Sequence, residues 1–439
     1  EKTGKKVIDM LKGNYFAVNV TPETGKPLAY DIQLAVDDPL YLKGFVFLSD
    51  KDPFVIGALD WIGISCESLD KLKNCIASAV QTKKECVQIH TTHFHDAPHS
   101  NLTAVNILKQ YGWNDVVEQY YDVDLLDRLC VDVMPAVREA VRKAVPITHV
   151  GYGNAEVHEV ASNRRITGED GKIKHTRYSS CSDSHVRSLP EGLIDPYIDL
   201  ITLWNHENCI ASASYYATHP MSYYRTAMCS SDFVGMARNM FSDLVTFAPH
   251  LYFNGAGGNI TAGKYNDGEK KVRYELAVKL FNGLKEAWEN TKKEPVDSFD
   301  YTHNLLHLPM DERFCLSECV RILGDQSSDT NDVQRASRKL AWDMWYEKHP
   351  GIDVSVLSIN KTKVLHMPGE LFVEYQLYAK QKYPQFNICM AAYGEYGTSY
   401  IGVKQSYFEG GYETQPTVTK VSEDSEPIIK ACIDELICM

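Results

Sequence analysis

Two histidines separated by one residue, in Thr92-His93-Phe94-His95-Asp96-Ala97-Pro98, are the groups best suited to chemistry in this chain. The run before them, Glu85-Cys86-Val87-Gln88-Ile89, reads as a strand leading into the motif. Side chains two apart on a strand share a face, so His93 and His95 would stand side by side where the strand ends. Pro98 would stop the pairing soon after. Paired neutral imidazoles suit a divalent metal, zinc most often. Taken alone, the same pair is also what two surface histidines in a loop look like, so later donors have to decide.

Three later stretches offer such donors. His219 sits in Ala217-Thr218-His219-Pro220, and a residue before proline is held in a restricted, extended backbone that can fix a ligand. Glu370 follows Met367-Pro368-Gly369 and is expected in the first turn of a helix carrying Phe372, Tyr375 and Ala379. A carboxylate there would also complement the helix dipole. Tyr400 and Tyr412 belong to a tyrosine- and glycine-dense region that suits a site-lining loop or a packed irregular cap. Ser231 or Asp232, ahead of Met236, Met240 and Leu244, reads as a helix N-cap. Phe253-Asn254-Gly255-Ala256-Gly257-Gly258-Asn259 lacks the Gly-Lys-Ser/Thr ending of a phosphate loop and reads as a tight turn against the core.

The elements that must position these groups alternate in type. Tyr15 to Pro22 reads as an edge strand, Leu42 to Phe47 as a core strand, and Val55 to Ile64 as a further apolar stretch. Ser68 is placed to cap a helix through Leu69, Leu72, Ile76 and Val80. Leu126, Leu129, Val133, Val137 and Val141 keep a helical period that Pro135 should kink or restart. Ile198 to Leu203 and Cys209 to Tyr216 read as strands joined by a polar turn, and Val354 to Ile359 with Lys363 to His366 as a hairpin. Helices are expected through Val272 to Trp288 and through Val333, Leu340 and Met344, and a strand over Asn387 to Ala392. The expected class is α/β in the mixed α+β sense, with mixed sheets flanked by helices. No repeat or linker divides the chain, so one catalytic unit over residues 1–439 is the expected organisation.

Composition narrows the function. The chain has 439 residues, 44% hydrophobic and 23% charged, with a formal net charge of −13. That charge argues against a sequence-independent nucleic-acid binder, and no apolar run is long enough for a membrane span. The 12 cysteines form no paired Cys-x-x-Cys elements, so a zinc ribbon is not expected and buried thiols are. The chain begins Glu1-Lys2-Thr3 without Met, which fits a trimmed mature chain.

In their order, these motifs resemble the N-terminal catalytic domain of the neutral/alkaline, non-lysosomal ceramidase family, in a build without its C-terminal immunoglobulin-like domain. The run 92–98 resembles that family's Thr-His-Thr-His-Ser-Gly-Pro, and Asn163-Arg164 its Asn-Arg element. Thr218-His219-Pro220 and Pro368-Gly369-Glu370 match its Thr-His-Pro and Pro-Gly-Glu. Ser230-Ser231-Asp232-Phe233-Val234-Gly235 resembles its Ser-x-Asp-x-x-Gly, and Tyr400 with Tyr412-Glu413 its late tyrosine pair.

The resemblance implies a zinc site of His93, His219, Glu370 and Tyr400, with His95 as acid/base beside the metal. It implies that Arg164 and Tyr412 hold or polarise the substrate carbonyl, and it aligns Ser230 with a serine once regarded as a possible nucleophile. The implied reaction is hydrolysis of an amide by metal-activated water. Phe94 and Asp96 replace Thr and Ser of the family motif, and with Asp232 they are expected to contact substrate; Asp96 could pair with a cationic or polyol group. The implied partner is a small-molecule amide or ester, sphingolipid-like or carbohydrate, met in solution or at a membrane surface, and the implied location is extracytoplasmic, periplasmic or secreted. Two other readings stay open: a zinc esterase or deacetylase acting on a carbohydrate, and a catalytically degenerate glycan- or lipid-binding protein. An amidohydrolase barrel also uses His-x-His, but it would want a Lys or carboxylate bridge, two later His and a terminal Asp, and the later landmarks His219, Glu370 and Tyr400 speak against it.

Overall fold

Three β-sheets pack against one another through a shared apolar core, with helices on their outer faces. The computed structural model of the chain describes residues 11–349 and 351–439. The first sheet orders Val87–Thr91, Phe54–Leu59, Tyr41–Leu48, Lys12–Asn19 and the short Val145–Pro146. The second orders His250–Asn254, Asn208–Tyr216, Tyr197–Asn205, His149–Glu156 and Lys292–Pro295. In the third, Phe299–Leu306, Ile352–Ile359, Thr362–His366 and Asn387–Ala391 follow one another.

Period-two alternation explains the layering. Along Tyr41–Leu48, Leu42 and Val46 join the cluster of the helices Glu67–Val80 and Leu125–Arg142, while Phe45 and Phe47 face the other two sheets. Likewise Val354 and Val356 meet the outer helices of the third sheet, and Leu357 and Ile359 enter the shared core. Each fully buried side chain of this size contributes about 1.5–3 kcal/mol relative to exposure.

Each sheet contains a parallel pair, and these pairs build the site. Val87–Thr91 runs parallel to Phe54–Leu59, Asn208–Tyr216 to His250–Asn254, and Thr362–His366 to Asn387–Ala391. Parallel neighbours finish at the same end, so the loops after each pair emerge together and can hydrogen-bond. His93 N–H donates to Trp61 O (3.0 Å), His219 N–H to Ile260 O (2.9 Å) and Glu370 N–H to Ser399 O (2.9 Å).

Several local expectations change. The helix Glu67–Val80 is entered through Cys66 and not capped by Ser68. Cys66 N–H donates to the Glu395 carboxylate, 3.1 Å from each oxygen, while Ser68 Oγ accepts from Leu102 N–H (2.8 Å). Pro135 lies inside Leu125–Arg142 without ending it. Glu370 is not in a helix: Glu370–Leu371 forms a two-residue strand parallel to Tyr400–Ile401, and the helix Val373–Lys382 starts afterwards. That short pairing ties Glu370 to Tyr400 through the backbone. No disulfide occurs among the described residues, and Cys315 and Cys438 are the exposed thiols. None of the described helices is long and apolar enough to cross a membrane.

Candidate metal centre and its cavity

His93, His219 and Glu370, each just past a strand of a different one of the three sheets, converge so that a ligand atom of each lies within 4.8 Å of the others. Glu370 Oε2 is 3.4 Å from His93 Nε2 and 3.2 Å from His219 Nε2. All three residues are buried. His93 Nε2 and Glu370 Oε2 have no hydrogen-bond partner, a costly condition for buried polar atoms.

Backbone carbonyls orient the imidazoles. His93 Nδ1 lies 2.7 Å from Ile62 O, and His219 Nδ1 lies 2.8 Å from Gly257 O and 3.1 Å from Ile260 O. A carbonyl only accepts, so each Nδ1 carries the proton and each Nε2 turns a lone pair inward. The Tyr396 hydroxyl donates to Glu370 Oε1 (2.8 Å), leaving Oε2 free to face the histidines. Burial opposes ionisation of the Glu370 carboxyl, yet a proton shared with the Nε2 atoms of His93 and His219 holds it well below the usual carboxylate range, and a bound cation would take that proton's place. The group can therefore bind a metal ion: two inward lone pairs, one charged oxygen, and two orphaned buried atoms that an ion would satisfy.

The backbone supports this convergence. His93 adopts φ +65°, so the strand stops at Thr91 and the His-x-His pair meets through a left-handed turn, not through strand alternation. Its ring and that of His95 lie 4.8 Å apart, nearly perpendicular. The glycine-dense turn passes directly beneath the other donors. A Cβ at Gly257 would come within 2.9 Å of the Thr218 carbonyl carbon, and one at Gly258 within 2.3 Å of Glu370 O. Only glycine lets these three backbones approach so closely.

Around the cluster lies a cavity of about 230 Å³. His95 lines it, with Nδ1 3.1 Å from His93 O, so Nε2 carries the lone pair. Burial, helped by His93 and His219, pushes His95 well below its ordinary value and keeps it neutral. The rings of Tyr30 and Tyr224 flank it. Tyr400 Oη is 3.3 Å from His219 Nε2, and burial raises its phenol. The Arg164 guanidinium lies 5.0 Å from the Tyr400 ring centre and 5.8 Å from that of Tyr412. Glu413 anchors it, accepting from Arg164 Nε (2.5 Å) and from Arg165 Nη1 (2.6 Å).

Four residues expected near the metal do not line this cavity. Phe94 is fully buried in the core cluster of the first sheet, because the turn at His93 directs it inward. Asp96, Ser230 and Asp232 point into a separate polar cluster around Arg273. Asp96 accepts from Arg225 N–H (2.8 Å) and Thr226 Oγ1 (2.8 Å), and lies 3.8 Å from Arg273. Asp232 accepts from Phe233 N–H (2.6 Å), its two oxygens share the single Ser222 N–H (3.1 and 3.0 Å), and it pairs with Arg273 at 3.3 Å. Ser230 Oγ donates to Asp38 (3.1 Å) and accepts from Arg273 Nη1 and Asp232 N–H, both 3.1 Å. Sequence reasoning did not single out Tyr396, His99, Arg338 or Lys420, all of which line the cavity. Tyr396 alone carried a signal, lying within the tyrosine-dense stretch.

Fold and site together define a class, an α+β fold of the ceramidase type with a buried His-His-Glu cluster at the junction of three sheets. The neutral ceramidase from Pseudomonas aeruginosa shares the fold at a TM-score of 0.70 and 13% identity, over 98% of this chain and 74% of that one. A ceramidase complexed with C2 matches at the same TM-score and identity, over 98% of this chain and 75% of that one. At this identity the likeness is one of fold. No family profile matches the chain, and no curated protein matches it in sequence.

Proposed function

We propose that the chain is a zinc-dependent hydrolase that cleaves an amide bond, organised as one catalytic unit around the three-sheet junction. The carrying observation is the pair of orphaned, buried atoms, His93 Nε2 and Glu370 Oε2, aimed at one point with His219 Nε2. His93, His219 and Glu370 would hold the ion, with Tyr400 beside them as a fourth donor. Two imidazoles with oxygen donors suit zinc, which when bound supplies Lewis acidity toward a carbonyl and toward water.

The remaining steps belong to side chains of this chain. Tyr396 and the carbonyls of Ile62 and Gly257 fix the donors' orientation before substrate arrives. His95, neutral with an open Nε2, accepts a proton from the attacking water and returns it to the departing nitrogen, which an amine leaving group requires. Arg164, through its unpartnered Nη2, and Tyr412, through its hydroxyl, would donate to the oxygen on which charge develops. Ser230 takes no part, since its hydroxyl is committed to Asp38 and Arg273.

An apolar slot for a two-chain lipid is not what surrounds this cluster. Met221 and Val418 are the aliphatic residues of a lining otherwise rich in tyrosine, histidine and cationic groups. This favours a compact polar amide over ceramide itself. The test is metal content by mass spectrometry, on wild type and His219→Ala, followed by turnover of a panel of acyl amides. About one zinc per chain, lost in the variant together with amidase activity, is expected. A wild type that takes up no zinc would instead support a degenerate binding protein.

A further inference from the structure

In a chain of net charge −13, the cavity wall carries four cationic side chains, Arg164, Arg335, Arg338 and Lys420, against Glu370 as its carboxylate. Glu413 neutralises Arg164. Arg335 sits at the rim with a loose contact to Asp332 at 3.9 Å. Arg338 and Lys420 differ from these: neither has a carboxylate partner among the described residues. Arg338 donates through Nε to Tyr121 Oη (3.2 Å), and its Nη groups have no hydrogen-bond partner among the described residues. Lys420 Nζ reaches Thr417 O at 3.3 Å. Burial, with Lys339 and Arg338 nearby, pushes Lys420 down to about 7 against the weaker opposing pull of Asp343, which is itself paired with Lys339.

A second, independent sign lies beside them. His99 lines the same cavity, is 6% exposed, and has both ring nitrogens buried with no partner. Its ring lies 5.9 Å from that of Tyr396, whose hydroxyl bonds Glu370. Tyr396 thus separates the metal cluster from a pole made of His99, Arg338 and Lys420. A buried ammonium without a carboxylate at bonding distance and an unsatisfied imidazole cost free energy unless a ligand meets them, and the half-buried Arg338 stands beside them on the cavity wall.

We propose that this pole binds an acidic oxyanion group of the substrate, a carboxylate or a phosphate, so that the enzyme acts on anionic acyl amides. The inference rests on the hydrolase reading for its chemistry, but the anion site stands on its own geometry. Planar guanidinium forks recognise oxyanions through paired N–H donors, and His99 adds a further donor or acceptor.

Two measurements separate the inference from the reading beneath it. The first titrates inorganic phosphate calorimetrically into the full chain, as purified and after zinc loading, for wild type, Arg338→Gln and Lys420→Met. One phosphate per chain, at least tenfold tighter in wild type than in either folded variant and in both metal states, is expected. Equal affinity in wild type and variants, or no binding, overturns the proposal. The second compares kcat/KM for an N-acylglycine, the phosphate of an N-acylethanolamine, and the uncharged N-acylethanolamine. At least a tenfold preference for one of the two acids, collapsing in Arg338→Gln, supports the proposal and says which oxyanion is used. If the uncharged amide is cleaved equally well, the anion inference fails and the hydrolase reading stands. If phosphate binds through Arg338 and no amide is cleaved, the hydrolase reading fails and the anion site stands.

Discussion

The cluster around Glu370 and the cluster around Arg273 are both buried and both built from charged and polar side chains, and the run 92–98 contributes to each, His93 to one and Asp96 to the other. They differ in completeness. Arg273 donates to Ser222, Ser230 and the Tyr223 carbonyl and pairs with Asp232, and the carboxylates facing it accept from backbone amides. Every partner there comes from the chain itself. Around Glu370, two buried atoms wait for a partner that the chain does not supply. A satisfied buried network rigidifies a fold, whereas an unsatisfied one at converging loops calls for a ligand. The Arg273 cluster pins the 221–232 segment that carries Tyr224 to the wall beside His95, and the Glu370 cluster is where chemistry can occur.

Removing a donor should separate the two most sharply. Glu370→Ala is expected to reduce bound zinc from about one ion per chain to near none, with loss of hydrolysis and little loss of folding stability. Mass spectrometry and a urea melt on the same sample check this. Full zinc retention in Glu370→Ala would break the comparison at its centre. Conversely, Arg273→Met leaves Asp96 and Asp232 buried without their cation and should cost about 3–5 kcal/mol. The denaturation midpoint should fall well below wild type while the folded fraction still takes up zinc.

The sequence makes the first cluster readable and misplaces the second, for a physical reason. His93, His219 and Glu370 lie just past apolar runs that can only be buried strands, and the ends of such strands are where ligands can be fixed. The direction of each side chain past that point depends on one or two backbone angles. Asp96 and Phe94 flank His95 in sequence, yet the left-handed turn at His93 sends Phe94 into the core and Asp96 toward Arg273. Glu370 was expected on a helix because Val373–Lys382 follows at once, and the pairing with Tyr400 that holds it in a strand is thirty residues away. Arg338 gave no sign, since on Thr330–Lys348 it reads as one more polar position of an amphipathic helix. Only the packing of that helix against the 396–420 region turns it toward the cavity.

A smaller effect tests whether orientation around the metal cluster matters as much as its donors. Tyr396→Phe removes one hydrogen bond, that to Glu370 Oε1, and leaves the ring in place. Losing a support of this kind typically weakens metal affinity about 10–100-fold. Competition with a chelator should show this shift, with zinc still bound at saturation. An unchanged affinity would mean that the Glu370–Tyr400 strand pairing alone sets the carboxylate.

Ser230 provides the mildest substitution and the finest test of the contrast. Its hydroxyl has three partners, two of them charged, so Ser230→Ala should cost about 1.5–3 kcal/mol in stability. It does not line the cavity, and its oxygen is held by Arg273 and Asp232 N–H, so it is not presented to a substrate bound beside the metal cluster. Turnover per folded, zinc-loaded chain should therefore stay within a few-fold of wild type. A collapse in kcat with stability and metal content preserved would place Ser230 in the chemistry and make the two clusters parts of one active site. Lost stability with preserved kcat would confirm that the Arg273 cluster is scaffold, satisfied internally and closed to substrate.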